Sequence, residues 1–137
     1  PQKVGLLAGS VADNIFFSAN SEIDMEFAKE LMLATSLISD TDDIDAWLAR
    51  KINSNAVGIS GGQAQRIRLV SALLRRPRIL LLDEALSGVE LALRMSLYAL
   101  AARMVCTVVV IDHNLAGTES LSIRPLMIGA DLILSPP

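Results

Sequence analysis

The chain has 137 residues, of which 52% are hydrophobic, 20% are charged and 4% are aromatic. This apolar content excludes a disordered chain, and the length fits one domain with a sizeable core. The 12 basic and 15 acidic side chains give a net charge of −3, which disfavours a nucleic-acid partner. The longest uncharged apolar stretch, Met104 to Ile111, is shorter than the ~20 residues that a membrane-spanning helix needs.

The first half of the chain has the pattern of helices and loops. Ser21 followed by Asp24 resembles a capping box, and apolar residues then recur at helical spacing. These apolar residues are Phe27, Leu31, Ala34 and Ile38. The acidic stretch 39–45 predicts a solvated loop that leads into the N-terminus of a short helix, where carboxylates suit the helix dipole.

The second half predicts strands alternating with helices. A helix from about Gly62 to Arg76 is ended by Pro77, and the short apolar runs 78–83 and 107–111 enclose a second helix. Such runs are typical of parallel strands buried on both faces. The run 131–134 predicts a third strand. The fold class is therefore α/β, a parallel sheet with flanking helices preceded by a helical subdomain, divided into residues 1–77 and 78–137.

Polar residues follow both apolar runs, where an open parallel sheet places its ligands. Asp83 and Glu84 end the first run: one carboxylate could help to hold Mg²⁺, and the other could accept a proton from an attacking water. The alternative is a pair of solvated loop carboxylates. His113 follows the second run, and alone it is the weaker indication, since a histidine there is more often structural.

A glycine pair precedes the predicted helix at Gly62. In the segment Ser60–Gln63, two glycines allow close approach of a ligand, and the free amides of a helix N-terminus attract an anion such as phosphate. By itself the segment is equally compatible with a turn and helix cap.

The order of these segments resembles the ATP-binding cassette (ABC) ATPase family. The matching blocks are ISGGQAQR at residues 59–66, ILLLDEALS at 79–87 and VVIDH at 109–113. The opening residues 1–15, PQKVGLLAGSVADNI, look like the Q-loop of exporter-type cassettes and its exit into the helical subdomain. The resemblance extends from Gln2 to about Asn114.

The resemblance implies roles for the residues of the signature and acidic blocks. The signature motif in this family touches the γ-phosphate of an ATP held mainly by a partner cassette. Its matching residues here are Ser60, Gly61, Gly62 and Gln63. Asp83 matches the Walker B aspartate that helps to position Mg²⁺, and Glu84 matches the catalytic carboxylate that polarises the attacking water.

Two further matches concern the ends of this region. His113 matches the switch histidine that senses the γ-phosphate, and it is expected to act in catalysis with Glu84. Gln2 matches the Q-loop glutamine, which binds at the nucleotide and Mg²⁺ and links them to the transmembrane partner. The segment 87–90 occupies the D-loop position, with Glu90 where the family has aspartate and Leu86 where it prefers threonine.

One expected motif is absent from the sequence. A P-loop needs a lysine that follows a glycine, but Lys3, Lys29 and Lys51 follow glutamine, alanine and arginine. In this family the P-loop lies upstream of the Q-loop. The resemblance therefore implies the C-terminal part of a cassette, and the isolated chain is predicted not to hydrolyse ATP.

The resemblance thus implies the ATP-hydrolysing cassette of a membrane transporter, and the exporter-like residues 9–15 favour an exporter. Its expected partners are a second cassette, a transmembrane domain and the P-loop half of the same cassette, on the cytoplasmic side of a membrane. One alternative is a soluble ABC-type ATPase of chromosome maintenance or DNA repair, although no sustained heptads suggest its coiled coil. The other is a non-catalytic interaction module that retains only the fold.

Overall fold

The computed structural model describes residues 5–17, 24–53, 58–104 and 107–111. The elements in chain order are β1 (Gly9–Ser10), α1 (Val11–Ile15), α2 (Met25–Ala34), α3 (Ile44–Ala49), β2 (Lys51–Ile52), α4 (Gly61–Leu74), β3 (Ile79–Asp83), α5 (Leu91–Met104) and β4 (Thr107–Ile111). Within these ranges, no helix combines the length and the apolar character that a membrane span requires.

The start of helix α1 is fixed by a capping box, in which the side chains of Ser10 and Asp13 each bind the other residue's backbone amide. The amide of Asp13 donates to the hydroxyl of Ser10 at 3.0 Å, and the Asp13 carboxylate accepts from the Ser10 amide at 2.6 Å. The Ser10 backbone amide, which has the larger effect, and the Ser10 side chain both hydrogen-bond the Asp13 carboxylate and so lower the pKa of Asp13. Asn14 holds Leu7 by bonds to both its amide and its carbonyl, at 2.7 and 3.0 Å. The segment before α1 is therefore fixed to the helix.

The second helix begins differently from the sequence prediction. Asp24 itself is the N-cap, since its carboxylate accepts from the Phe27 amide at 3.0 Å, whereas Ser21 lies outside the described residues. The helix ends at Ala34, which is exposed, and Ile38 is buried beyond the helix end. The apolar spacing therefore predicted helix α2 correctly but placed its C-terminus at Ile38, one turn beyond the observed end at Ala34.

Helix α4 forms the centre of the helical part. Ile67, Val70 and Leu73 are completely buried, and α4 packs against both α1 and α2. The helix ends where Arg76 takes the left-handed conformation, with φ of 47°, directly before Pro77. The Arg76 guanidinium lies over the Phe27 ring, 4.6 Å from its centroid, which ties the end of α4 to α2.

The predicted strand, helix and strand of the second half are confirmed. Strands β3 and β4 pair in parallel, with Ile79 opposite Thr107 and Asp83 opposite Ile111, and α5 connects them. Leu80 and Leu82 belong to the same buried core as Leu97 and Ala101 of α5.

The opposite face of this sheet departs from the prediction of strands buried on both sides. Four large aliphatic side chains are exposed there: Ile79 (68%), Leu81 (61%), Val109 (44%) and Ile111 (46%). The physical reason is that α5 packs on one face only, and no other described element covers the second face. The apolar run was therefore identified correctly as a strand, but half of its side chains find no cover among the described residues.

The buried position of Ile67 leads to a prediction about stability. Replacement of Ile67 by alanine should lower the free energy of unfolding by about 3 kcal/mol, since it removes buried methyl groups and leaves a cavity between α4 and its neighbours. Urea unfolding followed by circular dichroism would measure this loss. The adjacent Arg68→Ala is the control, because Arg68 is exposed on the same helix and should change stability by less than about 0.5 kcal/mol. Equal losses in the two variants would contradict the described packing of α4.

Candidate functional site

The acidic pair lies at the carboxyl end of the parallel sheet. Asp83 is the last residue of β3 and pairs with Ile111, and the Glu84 amide donates to the Ile111 carbonyl at 2.8 Å. The Asp83 side chain is exposed and that of Glu84 is half-buried. The carboxylates therefore follow one strand at the point where the neighbouring strand also ends, which is the usual ligand position of an open parallel sheet.

Two residues expected at this site cannot be placed. Gln2 falls in the segment 1–4 and His113 in the segment 112–137, and both lie outside the described residues. Their roles remain predictions from the sequence.

Glu84 has an unusual backbone conformation. Its φ is 45°, in the left-handed region that residues other than glycine rarely adopt. A hydrogen-bonded turn holds it there, in which the Ser87 amide donates to the Glu84 carbonyl at 3.2 Å and the Val89 amide donates to the Leu86 carbonyl at 3.0 Å. Because such strain costs about 1–3 kcal/mol, it persists only where the surroundings determine the conformation, and it is concentrated at functional sites.

The predicted glycine motif forms the N-terminus of α4. The Ser60 hydroxyl accepts from the Gln63 amide at 3.1 Å, and the Gln63 side-chain oxygen accepts from the Ser60 amide at 2.9 Å, so the two residues form a capping box. A methyl group added to Gly61 would meet no atom within 4 Å. An anion can therefore approach the first amides of α4 without displacing protein atoms, and the helix dipole favours its negative charge.

A cation lies beside this helix end. The Arg66 guanidinium nitrogen Nη1 is 3.6 Å from the position that a Cβ on Gly62 would occupy. Its Nε is buried and has no hydrogen-bond partner among the described residues, and burial lowers the pKa of Arg66. An anion at the start of α4 would add a counter-charge for this partly desolvated guanidinium.

The start of α4 contacts the turn that follows the acidic pair. A Cβ on Gly62 would lie 3.4 Å from the Gly88 carbonyl oxygen, and the Gly88 amide donates to the Gln65 side-chain oxygen at 3.1 Å. Gln65 therefore belongs to this site, although it was not among the site residues predicted from the sequence. The only indication in the sequence is weak: Gln65 is a polar residue among the mainly apolar inward positions of α4.

The residues present are compatible with Mg²⁺ and a nucleotide phosphate. Asp83 offers exposed oxygen ligands at the strand end, and Mg²⁺ prefers one or two carboxylates supplemented by phosphate oxygens and water. The described part of the chain contains no group of three or more metal-binding side chains. A cation at Asp83 would therefore take its other ligands from the nucleotide, from solvent or from residues outside the described ranges, such as Gln2.

Comparison with known proteins identifies the class to which this fold and site belong. The family model described as "ABC transporter" matches residues 1–87, which is more than half of the chain. The chain therefore belongs to the ABC transporter family, as its motifs predicted.

Its relatives among curated proteins include several whose names state export or transport. A protein of Rickettsia bellii, described by name as an export ATP-binding/permease protein, is 40% identical over 66% of this chain and 15% of its own length. One of Rickettsia typhi with the same description is 33% identical over 88% of this chain and 21% of its own length. The lactococcin-A transport/processing ATP-binding protein LcnC of Lactococcus lactis is 29% identical over 87% of the chain. The chain spans about a fifth or less of the length of these relatives.

A solved structure supports the fold. A bacterial Atm1-family ABC exporter with ATP bound superposes on 88% of this chain and 21% of its own, with a TM-score of 0.70 and 17% identity. This likeness confirms the partial α/β architecture.

The left-handed backbone of Glu84 leads to a prediction about stability: here a glycine variant should be more stable than an alanine variant, the reverse of the usual order. At Glu84, glycine should give a protein about 1 kcal/mol more stable than alanine, because only glycine adopts a positive φ without steric cost. Urea unfolding of Glu84→Gly and Glu84→Ala would measure the difference. At the next residue, Ala85→Gly should show the usual order and destabilise the protein by about 0.5–1 kcal/mol. If Glu84→Ala were the more stable of the first pair, the strained conformation would be wrong.

Proposed function

We propose that this chain is the part of an exporter's ATP-binding cassette that supplies the signature motif and the hydrolytic carboxylate. The observation that carries the proposal is the placement of Glu84. It follows Asp83 at the carboxyl end of β3, is joined to the end of β4, and is held in a strained turn. Adjacent carboxylates in this position suit phosphoryl transfer, in which positioning and charge stabilisation supply most of the catalysis.

Each residue of this pair has a defined task in the proposed reaction. The Asp83 carboxylate would hold Mg²⁺, which would supply charge neutralisation at the phosphate oxygens. The Glu84 carboxylate orients a water molecule and accepts its proton as the water oxygen bonds to the γ-phosphorus and the bond to the ADP oxygen breaks. His113 senses the γ-phosphate and Gln2 contacts the nucleotide and Mg²⁺ in this proposal, which for both residues rests on the family resemblance.

The N-terminus of α4 serves an ATP that is held mainly by a second cassette. The Ser60 hydroxyl accepts from the Gln63 amide, and its own O–H can donate to a γ-phosphate oxygen. The open surroundings of Gly61 admit that phosphate close to the helix amides. Gln63 contributes through the capping box that fixes Ser60, in addition to its expected contact with the ligand.

The remaining partner in the proposal is a P-loop half of the same cassette. The sequence contains no glycine followed by lysine, so that half must supply the lysine that reaches the β- and γ-phosphates. The exposed aliphatic face of the sheet supports this partner, because parallel strands are normally covered on both faces. The proposal retains the division into a helical part, residues 1–77, and a partial catalytic core, residues 78–137.

The setting in the cell follows from the relatives. Several are named as export ATP-binding/permease proteins, which favours a transporter over an ATPase of chromosome maintenance or DNA repair. We place the cassette on the cytoplasmic side of a membrane, joined to a transmembrane domain and paired with a second cassette.

The proposal is tested by reconstitution of Mg·ATP hydrolysis. The chain alone should be inactive, and mixing with a P-loop-containing fragment of the same cassette should restore turnover. Glu84→Gln should lower the restored rate by at least about 100-fold, since it removes the proton acceptor, but should leave ATP binding in place. Phosphate release and fluorescent-nucleotide binding would be measured in parallel.

The matched control is Glu30→Gln, which makes the same chemical change on the exposed surface of α2. It should retain the wild-type rate. Turnover by the chain alone would contradict the division of the site. Equal rates for Glu84→Gln and Glu30→Gln in an associated, folded complex would exclude Glu84 as the proton acceptor.

A further inference from the structure

We propose that Gln65 is a positioning residue that locks the signature helix to the turn carrying Glu84, so that the two elements move as one body. This inference rests on the proposed ATPase function. Gln65 is not among the residues expected to contact the nucleotide or Mg²⁺. The assignment comes from the contacts of one side-chain amide.

The Gln65 amide uses both of its ends in this contact. Its oxygen accepts from the Gly88 amide at 3.1 Å, and its nitrogen donates to the Ser87 hydroxyl at 3.3 Å. The partners lie 23 and 22 residues away in the chain, so the bonds join two elements that sequence distance separates. A neutral amide offers a donor and an acceptor at one side-chain end, which the turn requires.

The burial of Gln65 raises the free-energy cost of losing these two hydrogen bonds. Gln65 is only 8% exposed, between Ala64 and the fully buried Ile67 of the same helix. A buried amide that loses its partners is not compensated by water, so the loss of such bonds costs more than the loss of bonds on an exposed surface. The bridge therefore joins a buried side chain of α4 to a turn whose residues Ser87 and Gly88 are themselves exposed.

Two glycines allow the backbones to approach closely at this bridge. A Cβ on Gly88 would come within 3.1 Å of the Gln65 side-chain oxygen, and a Cβ on Gly62 would come within 3.4 Å of the Gly88 carbonyl. The turn thus lies against both the first residues of α4 and the side chain one turn further on. A shift of the start of α4 must carry Ser87 and Gly88 with it.

The bridge continues to the catalytic carboxylate through the backbone. The Ser87 amide closes the turn onto the Glu84 carbonyl at 3.2 Å, and the Glu84 amide is bound to Ile111. Gln65 therefore fixes one end of a short hydrogen-bonded segment whose other end sets the strained φ of Glu84. Loss of the bridge should disturb the orientation of the carboxylate more than the binding of ATP, for which the P-loop half supplies the main contacts.

The test uses the complete cassette, in which this chain is combined with its P-loop half. Gln65→Met keeps the side-chain length and removes both hydrogen bonds. It should lower kcat by about tenfold while KM for ATP changes by less than about twofold, because the lost interaction acts on the hydrolytic step. Gln65→Glu keeps the acceptor for the Gly88 amide and should retain more of kcat than Gln65→Met. Arg68→Met is the matched control on the exposed side of α4 and should behave as wild type.

A double-mutant cycle shows whether Ser87 and Gln65 act together. Ser87→Ala removes one of the two bonds from an exposed position and should lower kcat by less than Gln65→Met does. The double variant should be no slower than Gln65→Met alone, because coupled residues do not have additive effects. Additive losses would overturn the coupling. Should Gln65→Met fail to fold, Ser87→Ala and Gln65→Glu still test it.

A second readout is independent of ATP hydrolysis. Hydrogen–deuterium exchange of the peptide containing Gly88 should be faster in Gln65→Met than in wild type or Arg68→Met, since the Gly88 amide loses its acceptor. Unchanged exchange would overturn the bridge, and faster exchange with unchanged kcat would overturn its positioning role. An inactive wild-type cassette would instead contradict the proposed function, and the exchange of Gly88 would still decide whether Gln65 holds the turn.

Discussion

Helix α4 is the constraint on which the rest of the structure depends. Its inward face is completely buried at Ile67 and Val70 and packs against α1 and α2, which fixes the helix within the core. Its capping box fixes where the helix starts, and this start lies against the turn after β3. One element therefore sets the position of the helix end proposed to bind an anion and of the loop that carries the acidic pair. A helix buried in this way transmits small displacements as a rigid unit, because close-packed interiors do not deform continuously.

The strain at Glu84 is compatible with a stable fold because the flanking residues determine it from both sides. The Glu84 amide is tied to the end of β4, and Leu86, two residues later, is completely buried in the core. A left-handed glutamate costs about 1–3 kcal/mol, which burial of a leucine side chain can offset. The burial of Leu86 also explains why an aliphatic residue suits this chain where the family prefers threonine. The position points into the core, where an unpaired hydroxyl would be costly.

The elements that can be predicted from the sequence are those with a hydrophobic pattern: apolar residues at helical spacing or a short unbroken apolar run. Helix α4, with Ile67, Val70 and Leu73, and the strand runs of β3 and β4 belong to this group, because a hydrophobic pattern depends only on nearby residues in the sequence. The two-residue strands β1 and β2 have no such period, since they form only through their mutual pairing, of Gly9 with Ile52 and Ser10 with Lys51. The N-cap at Asp24 was missed by three residues, because a serine and an aspartate at that spacing offer two competing caps.

The residues of the candidate site also fall into those that local sequence could predict and one that it could not. Motif order identified the acidic pair and the glycine segment, whose chemistry depends on residue type and neighbouring sequence. It could not identify Gln65, whose task depends on a turn more than twenty residues away. This difference has a physical consequence for the proposed function. Residues that touch phosphate supply interactions that strengthen as charge develops, but the gain requires that they already stand in the correct place. In a cassette whose P-loop half supplies most of the ATP contacts, the hydrolytic rate then depends on contacts such as Gln65 with Gly88, which never meet the nucleotide.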